Sequence, residues 1–404
     1  MKILIVNQPL NNRGDESAHK ALLRSLCNNF SDVKIQILFV NANQNSIDQF
    51  KIDYNEVEYL NFSRKIQGGI RILTIGTVYN LPIIWYLHPL TNKILQLMKD
   101  VDLVVCAPGG ICMGGFQDWY HISILSMAMY LKKKIAYYGR SFGPFPEISK
   151  QNKRFKAISY KLLHYFDFLS IRDAKSQMLA EEIGVNYVST VDTAFLDSPE
   201  VKIPIEISNK ISDHYIVFVP NELKWHYAFK SVSVDKIIQF YTQIIDIISK
   251  KYHNYKIVML PQIFNDHNQN ELSFFSRIKE NSSHSKDIVI LEDKYNSDIQ
   301  QCIIRESKLL VGARYHSIVF ALNNNVPFIA LSYEHKISGL LNLLEKENLV
   351  IDIINIWSEE EKMNDSIKQL SVILNSLKKD SEAQLKAKDI AIKCMNNFIL
   401  RYNR

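Results

Sequence analysis

The sequence predicts an α/β protein: two Rossmann-like, doubly wound domains facing each other across a cleft, followed by a C-terminal helical tail. Three observations carry this. The chain has 404 residues, and at roughly 150 residues per domain it needs two or three domains. Short runs rich in Ile, Val, Leu and Phe recur between longer stretches with helical spacing, the pattern of βαβ units on a parallel sheet. The runs fall into two sets, divided at residues 198–213 by a Pro-punctuated polar stretch with little period of either kind.

The first set places strands at residues 2–7, 34–41, 101–107, 134–141, 168–171 and 187–191. The second places them at 215–220, 256–261, 287–291, 308–312 and 327–332. The expected domains are 1–197 and 214–350, joined by the linker 198–213, with 351–404 as a tail of amphipathic helices rich in Lys, Glu and Ala. Residues 72–92 carry no formal charge, yet Gly76, Pro82 and Pro89 interrupt them. With Asn80 and His88 these breaks argue against a membrane-spanning helix, which wants about 20 apolar residues. Two readings stay open. One is a buried or partner-covered insertion. The other is a membrane-surface element with Trp85, Tyr79 and Tyr86 at the interface and Arg71 and Lys93 toward headgroups.

A 47% apolar, 22% charged composition is that of a globular chain and excludes disorder and collagen. Forty-eight Lys and Arg against 42 Asp and Glu leave +6. That balance is too mild and too dispersed for nucleic-acid binding, and it leaves an anionic small substrate or an anionic membrane surface open. The five cysteines, Cys27, Cys106, Cys112, Cys302 and Cys394, form no C-x-x-C pair. A reduced cytoplasmic protein without structural zinc or an iron–sulfur centre is expected. The opening apolar run from Ile3 to Val6 is too short for a signal peptide, so Asn29 and Asn61, each in an N-x-S context, are expected to stay unglycosylated.

The chemistry-bearing residues gather at predicted strand ends, where open α/β sheets bind ligands. Asn12, Arg13, Gly14, Asp15 and Ser17 follow the first strand and open a helix, an arrangement that favours an anion or hydroxyl-rich ligand; an N-cap with acidic first-turn company is the plainer reading. With only 13 glycines in the chain, the cluster Gly109, Gly110, Gly114 and Gly115 after the 101–107 strand suggests close backbone approach to a ligand, or a tight turn. It has neither G-x-G-x-x-G nor G-K-[ST] spacing. Arg314 and His316 follow the 308–312 strand. Extended backbone would put both on one face toward the cleft, where a planar guanidinium suits a carboxylate or phosphate and an imidazole can move a proton. A structural pair at a helix N-terminus is the alternative. Lys336 follows the next strand, either as a third cation or as a solvated loop lysine. Arg140 and Arg172 end two first-domain strands, and Arg172 with Asp173 also reads as an internal ion pair. No H-E-x-x-H run is present, and neither Asp100-Val101-Asp102 nor Gly139-Arg140-Ser141-Phe142-Gly143 is read as a metal motif or a nucleophile elbow, so metal-dependent sugar transfer and serine hydrolysis lose weight.

Taken in order, these segments resemble the polysaccharide pyruvyl transferase family from Lys2 to Leu340. Asn12-Arg13-Gly14-Asp15 is similar to its N-terminal signature, and Pro108-Gly109-Gly110 with Gln117-Asp118 to its glycine-rich loop. Ser141-Phe142-Gly143-Pro144 resembles its G-x-G-P turn with Ser141 in place of glycine, and Pro108 likewise stands where glycine is common. Ser170-Ile171-Arg172-Asp173 with Ser176 is similar to its S-x-R-D-x-x-S. Arg314-Tyr315-His316, then Ala321, Val326-Pro327, Tyr333 and Lys336, is similar to its R-x-H and Y-x-x-K stretch.

The resemblance implies a GT-B-like fold and transfer of pyruvate from phosphoenolpyruvate onto a sugar diol as a cyclic ketal, in capsular or exopolysaccharide synthesis. The first domain would face the acceptor, a lipid-linked or nucleotide-linked saccharide, and the second the donor. Catalysis falls to His316, Arg314 and Asp15. Binding falls to Arg314, His316, Lys336, Arg172, Arg140, Asn12, Arg13, Gly109, Gly110 and Asp118. No metal or other cofactor is expected beside the donor substrate, and no nucleic-acid partner. The cytoplasmic face of the cell membrane is the expected location, with residues 72–92 as the contact. A metal-independent nucleotide-sugar glycosyltransferase and a non-catalytic sugar- or phosphate-binding subunit remain the rival readings.

Overall fold

In a computed structural model, residues 1–10, 12–62, 68–264 and 270–403 are described. They form two compact units. The first comprises Met1–Leu10, Asp15–Asp197 and Asp389–Arg404, and the second Asn11–Gly14 and Ser198–Lys388.

In the first unit, strands β1 (Lys2–Val6), β2 (Lys34–Val40), β3 (Val57–Phe62), β4 (Leu103–Cys106), β5 (Lys134–Arg140), β6 (Phe168–Ile171) and β7 (Val188–Ser189) form one parallel sheet, ordered β3-β2-β1-β4-β5-β6-β7. Both faces are buried. Leu4, Val6, Val104, Ile135 and Tyr137 join one core, while Ile3, Ile5, Leu103, Val105, Ala136 and Tyr138 join the other. Burial on both sides explains why these strands read as unbroken apolar runs. The end of the helix Ser381–Tyr402 covers the second face with Cys394, Met395 and Phe398.

In the second unit, β8 (Tyr215–Val219), β9 (Lys256–Met259), β10 (Ile288–Ile290), β11 (Leu310–Gly312), β12 (Phe328–Ser332) and β13 (Val350–Asp352) are also parallel, ordered β10-β9-β8-β11-β12-β13. The helices Val234–Lys251 and Glu360–Ser376 pack one face through Ile237, Phe240, Ile244, Leu370 and Ile373.

Three expectations need correction. β3 and β13 are additional edge strands. The 198–213 stretch holds a helix, Ile205–Ile211, with Ile207 and Ile211 buried. Residues 72–92 fold into the end of a helix (Gly69–Val78), a 3-10 turn (Pro82–Tyr86) and the start of another helix (Pro89–Lys99). Trp85 is only 3% exposed there, and its indole N–H donates to the Leu73 carbonyl at 3.1 Å. Trp85 is therefore core, not an interface anchor.

Candidate active site

Each sheet reverses its winding at one place, between β1 and β4 and between β8 and β11, and ligands of open α/β sheets bind outside the carboxyl ends of strands at such points. In the second unit β11 pairs with β8 through Gly312 and Val219. The Ala313 N–H continues the ladder to the Val219 carbonyl at 2.8 Å. Arg314 is still extended, but it is the N-cap of the helix Tyr315–Asn323. Strand alternation thus stops at Arg314, and His316 is presented by the first turn of a helix, contrary to the extended R-x-H expectation. The positive end of that helix lies at the same place.

Arg314 is paired with Glu271, and both side chains are largely buried. The second Glu271 oxygen accepts the Gln262 and Ile263 N–H groups at 3.0 and 3.1 Å, so one carboxylate ties the segment after β9 to Arg314. Burial alone would lower the Arg314 pKa, but Glu271 and the Tyr333 and Tyr241 hydroxyls more than offset it. The Arg314 Nε is buried and has no hydrogen-bond partner among the described residues. Tyr333 is buried, and its hydroxyl is pushed up by burial and by Glu334. Tyr241 donates to the Asn221 carbonyl at 2.9 Å, just beyond β8. Lys336 stands in the first turn of the helix His335–Leu343 after β12, half-buried, with Nζ 3.8 Å from Glu334.

Residues 12–14 belong to this unit as well. Asn12 forms a bridge with Ile263 and accepts the Gly14 N–H at 2.8 Å. Arg13 is 2% exposed; it donates to the Lys294 carbonyl at 3.0 Å and lies 4.6 Å from the Phe264 ring centroid. These bonds anchor the segment. Gly14 lies against the His316 ring, and a Cβ there would be 1.8 Å from its Cγ. Only glycine lets the two meet.

In the first unit, Val6 and Cys106 pair at the switch point, and the loops beyond them converge on Arg140. A register shift between β5 and β6, with Gly139 at φ 56°, turns Arg140 to the strand end. A Cβ at Gly139 would be 2.4 Å from the Thr193 hydroxyl. Arg140 is fully buried, and it donates to the carbonyls of Asn7, Ala107 and Gly110 at 3.2, 2.7 and 3.3 Å. It also reaches Cys112 Sγ at 3.2 Å. With its donors so occupied it braces the glycine-rich loop, and the expectation of a substrate-facing cation gives way to a positioning role. Gly109 forms a bridge with Arg140, while Gly110 has nothing within 4 Å of a would-be Cβ. Arg172 pairs with Asp192, both side chains buried. Asp173 instead caps the helix Ala174–Glu182 by accepting the Ser176 N–H at 3.0 Å.

Asp118 caps the helix Trp119–Tyr130, accepting the His121 N–H at 2.9 Å. Half-buried Asp15 acts electrostatically on Cys112 and Arg140. Cys112, Asp118 and His121 also bring potential metal-ligand atoms within 4.8 Å of one another. Their spacing in the chain fits no metal motif, and the Arg140 guanidinium beside Cys112 opposes a divalent cation. His121 is held well below its usual pKa by burial and then by Arg140.

The residues missing from the sequence reading divide by cause. Asn221 follows a strand end, and the carboxyl-end rule applied to residues 215–220 finds it. Glu271 and Tyr241 carry no local signal, because they reach Arg314 from separate helices.

The family model described as "Polysaccharide pyruvyl transferase" matches residues 12–335. The amylovoran biosynthesis protein AmsJ of Erwinia amylovora is 23% identical over 382 residues, covering 87% of this chain and 88% of that protein. Among solved structures, a protein described as a UDP-N-acetylglucosamine 2-epimerase, from Listeria monocytogenes, superposes with a TM-score of 0.58 at 11% identity, over 98% of this chain and 94% of the other. The Methanocaldococcus jannaschii UDP-GlcNAc 2-epimerase in complex with UDP-GlcNAc and UDP gives 0.55 at 14%, over 97% and 99%. At such identities the likeness is one of fold, the two-unit GT-B-like architecture.

Proposed function

The chain belongs to the polysaccharide pyruvyl transferase family, and from that premise we propose that it transfers pyruvate from phosphoenolpyruvate to two hydroxyls of a sugar. The product is a cyclic ketal plus phosphate, made in the synthesis of a bacterial capsular or extracellular polysaccharide. The observation that carries the reading is Arg314, whose buried Nε is a donor without an acceptor among the described residues, at the N-terminus of a helix. Phosphoenolpyruvate brings a carboxylate and a phosphate, and a planar guanidinium beside helix-end N–H groups suits both.

Arg314 and Lys336 are assigned to the donor's anionic groups. In the reaction a proton adds to the methylene carbon, one sugar hydroxyl attacks C2, and that hydroxyl gives up its proton. The C2–O bond to phosphate then breaks. The second hydroxyl attacks the oxocarbenium-like carbon, and its proton balances the departing phosphate. His316 is assigned the proton transfer, and Asp15 the activation of the acceptor. The cations stabilise the charge on the leaving phosphate.

Incubation with phosphoenolpyruvate and lipid-linked or nucleotide-linked saccharides tests the reading. Phosphate release and a product heavier by pyruvic acid less one water are expected. Nucleotide release from a nucleotide sugar, with phosphoenolpyruvate untouched, would make the protein a glycosyltransferase; ligand binding without turnover would make it a binding subunit. The chemistry is assigned no metal, so turnover should survive chelation. Activity lost in EDTA and restored by Mg²⁺ or Mn²⁺ would overturn that assignment.

A further inference from the structure

The segment from helix Gly69–Val78 through the 3-10 turn Pro82–Tyr86 has two sides of opposite character. Its inner side is packed: Leu73, Trp85 and Leu90 are buried, and Trp85 meets Tyr130 edge-on at 5.7 Å. Its outer side exposes Tyr79, Leu81, Ile83 and Leu87, at 60%, 48%, 64% and 78%. Four large apolar side chains turned to solvent within one short stretch are a patch, and patches of that kind mark interaction surfaces.

Charge selects what covers it. Residues 59–99 contain Arg64, Lys65, Arg71, Lys93 and Lys99 and no Asp or Glu. Arg71 is exposed in the first turn of the helix Gly69–Val78. The first turn of the helix Lys150–Tyr165 brings exposed Lys150, Lys153 and Arg154 to the same place, where they line a groove with Thr74, Val78 and Tyr79. The Arg154 guanidinium lies 5.3 Å from the Tyr79 ring centroid. Glu147, the nearby acid, is taken up by Lys156. An apolar ridge with a purely cationic rim is complementary to a surface with anionic headgroups above an apolar interior.

We propose that this face binds the surface of an anionic lipid bilayer, with Leu81, Ile83 and Leu87 entering the acyl boundary and Arg71, Lys150, Lys153 and Arg154 meeting the headgroups. Trp85 takes no part. No helix among the described residues is long and apolar enough to cross a membrane, so the contact is in-plane and reversible. The inference is independent of the transfer reaction.

Vesicle flotation of the full chain tests it, using phosphatidylcholine alone and phosphatidylcholine with about 30 mol% phosphatidylglycerol. The protein should float with the anionic vesicles only, and about 0.5 M NaCl should release it. Ile83→Asp with Leu87→Asp, and separately Lys150→Glu with Lys153→Glu, should each weaken association by about tenfold or more. All four residues are exposed, so circular dichroism and melting should stay as in the unmodified protein, and turnover of soluble substrates should be unaffected. No flotation with either vesicle, or flotation equal in the variants, would overturn the proposal. Flotation lost only through Trp85→Ser would likewise overturn it.

Discussion

Arg314 pairs with Glu271 and His316 packs over Gly14, and these neighbours make their substitutions distinguishable. Arg314→Ala should weaken phosphoenolpyruvate binding by roughly 2 to 5 kcal/mol, since a charge-assisted donor to an anion is lost. It also leaves the Glu271 carboxylate buried without its cation, so the melting temperature should fall as well. Unchanged donor affinity in a folded Arg314→Ala protein, measured by calorimetry, would remove Arg314 from the donor site. His316→Gln should keep donor affinity within several-fold and slow turnover by about 10² or more. Equal losses of binding and turnover would make His316 a phosphate ligand. Gly14→Ala places a methyl where the His316 ring stands, and backbone and ring cannot both stay. Turnover should drop toward the level of His316→Gln, with a stability loss of about 1 to 3 kcal/mol. Wild-type kinetics in Gly14→Ala would mean that His316 can shift without consequence.

The stretch spanning residues 72–92 shows how an element can be apolar for two reasons at once. Leu73, Trp85 and Leu90 join the first unit's core while Tyr79, Leu81, Ile83 and Leu87 face outward, so mean apolarity misassigns individual residues. Trp85 is the residue this misleads most. It fills the space over Gly76, where a Cβ would lie 2.1 Å from the indole nitrogen, and its N–H bond to Leu73 is internal. Trp85→Ala should therefore cost about 3 to 5 kcal/mol, read as a lowered urea midpoint, whereas Leu87→Ala, at 78% exposure, should change the midpoint little. Comparable losses in both would show that the outer side chains are packed too. The glycine-rich loop after β4 obeys a similar division: Gly109 and Cys112 are held by Arg140, and Gly110 is left with space around it.

Acid should act on the first unit through its buried imidazoles. His19 is pushed down to about 3 by burial and by Lys20, and His121 lies well below its usual value. Unfolded, both take up protons near pH 6.5. Below that pH the unfolded chain binds more protons than the folded one, so this contribution is fully present above about 6.5 and is lost as pH falls toward the folded pKa. His19 should cost about 2 kcal/mol by pH 5, and His121 acts in the same direction. Urea midpoints at pH 7 and 5 check this. Neither His19 ring nitrogen has a hydrogen-bond partner among the described residues, so His19→Leu should reduce the pH dependence, and an unchanged dependence would refute the assignment. What sequence alone determined were the features that repeat locally: strands buried on both faces, such as β1 and β4, read as apolar runs because neither face meets water, and the family motifs sit at their carboxyl ends, where parallel sheets bind ligands. Tertiary structure decided the rest. β3 and β13 lie at sheet edges, half-buried or only three residues long, so their burial pattern is too weak to read. The partnership of Arg314 with Glu271, of Gly14 with His316, and of Arg140 with three backbone carbonyls joins positions far apart in the chain. No local period records such pairs, because packing, not propensity, brings their atoms together.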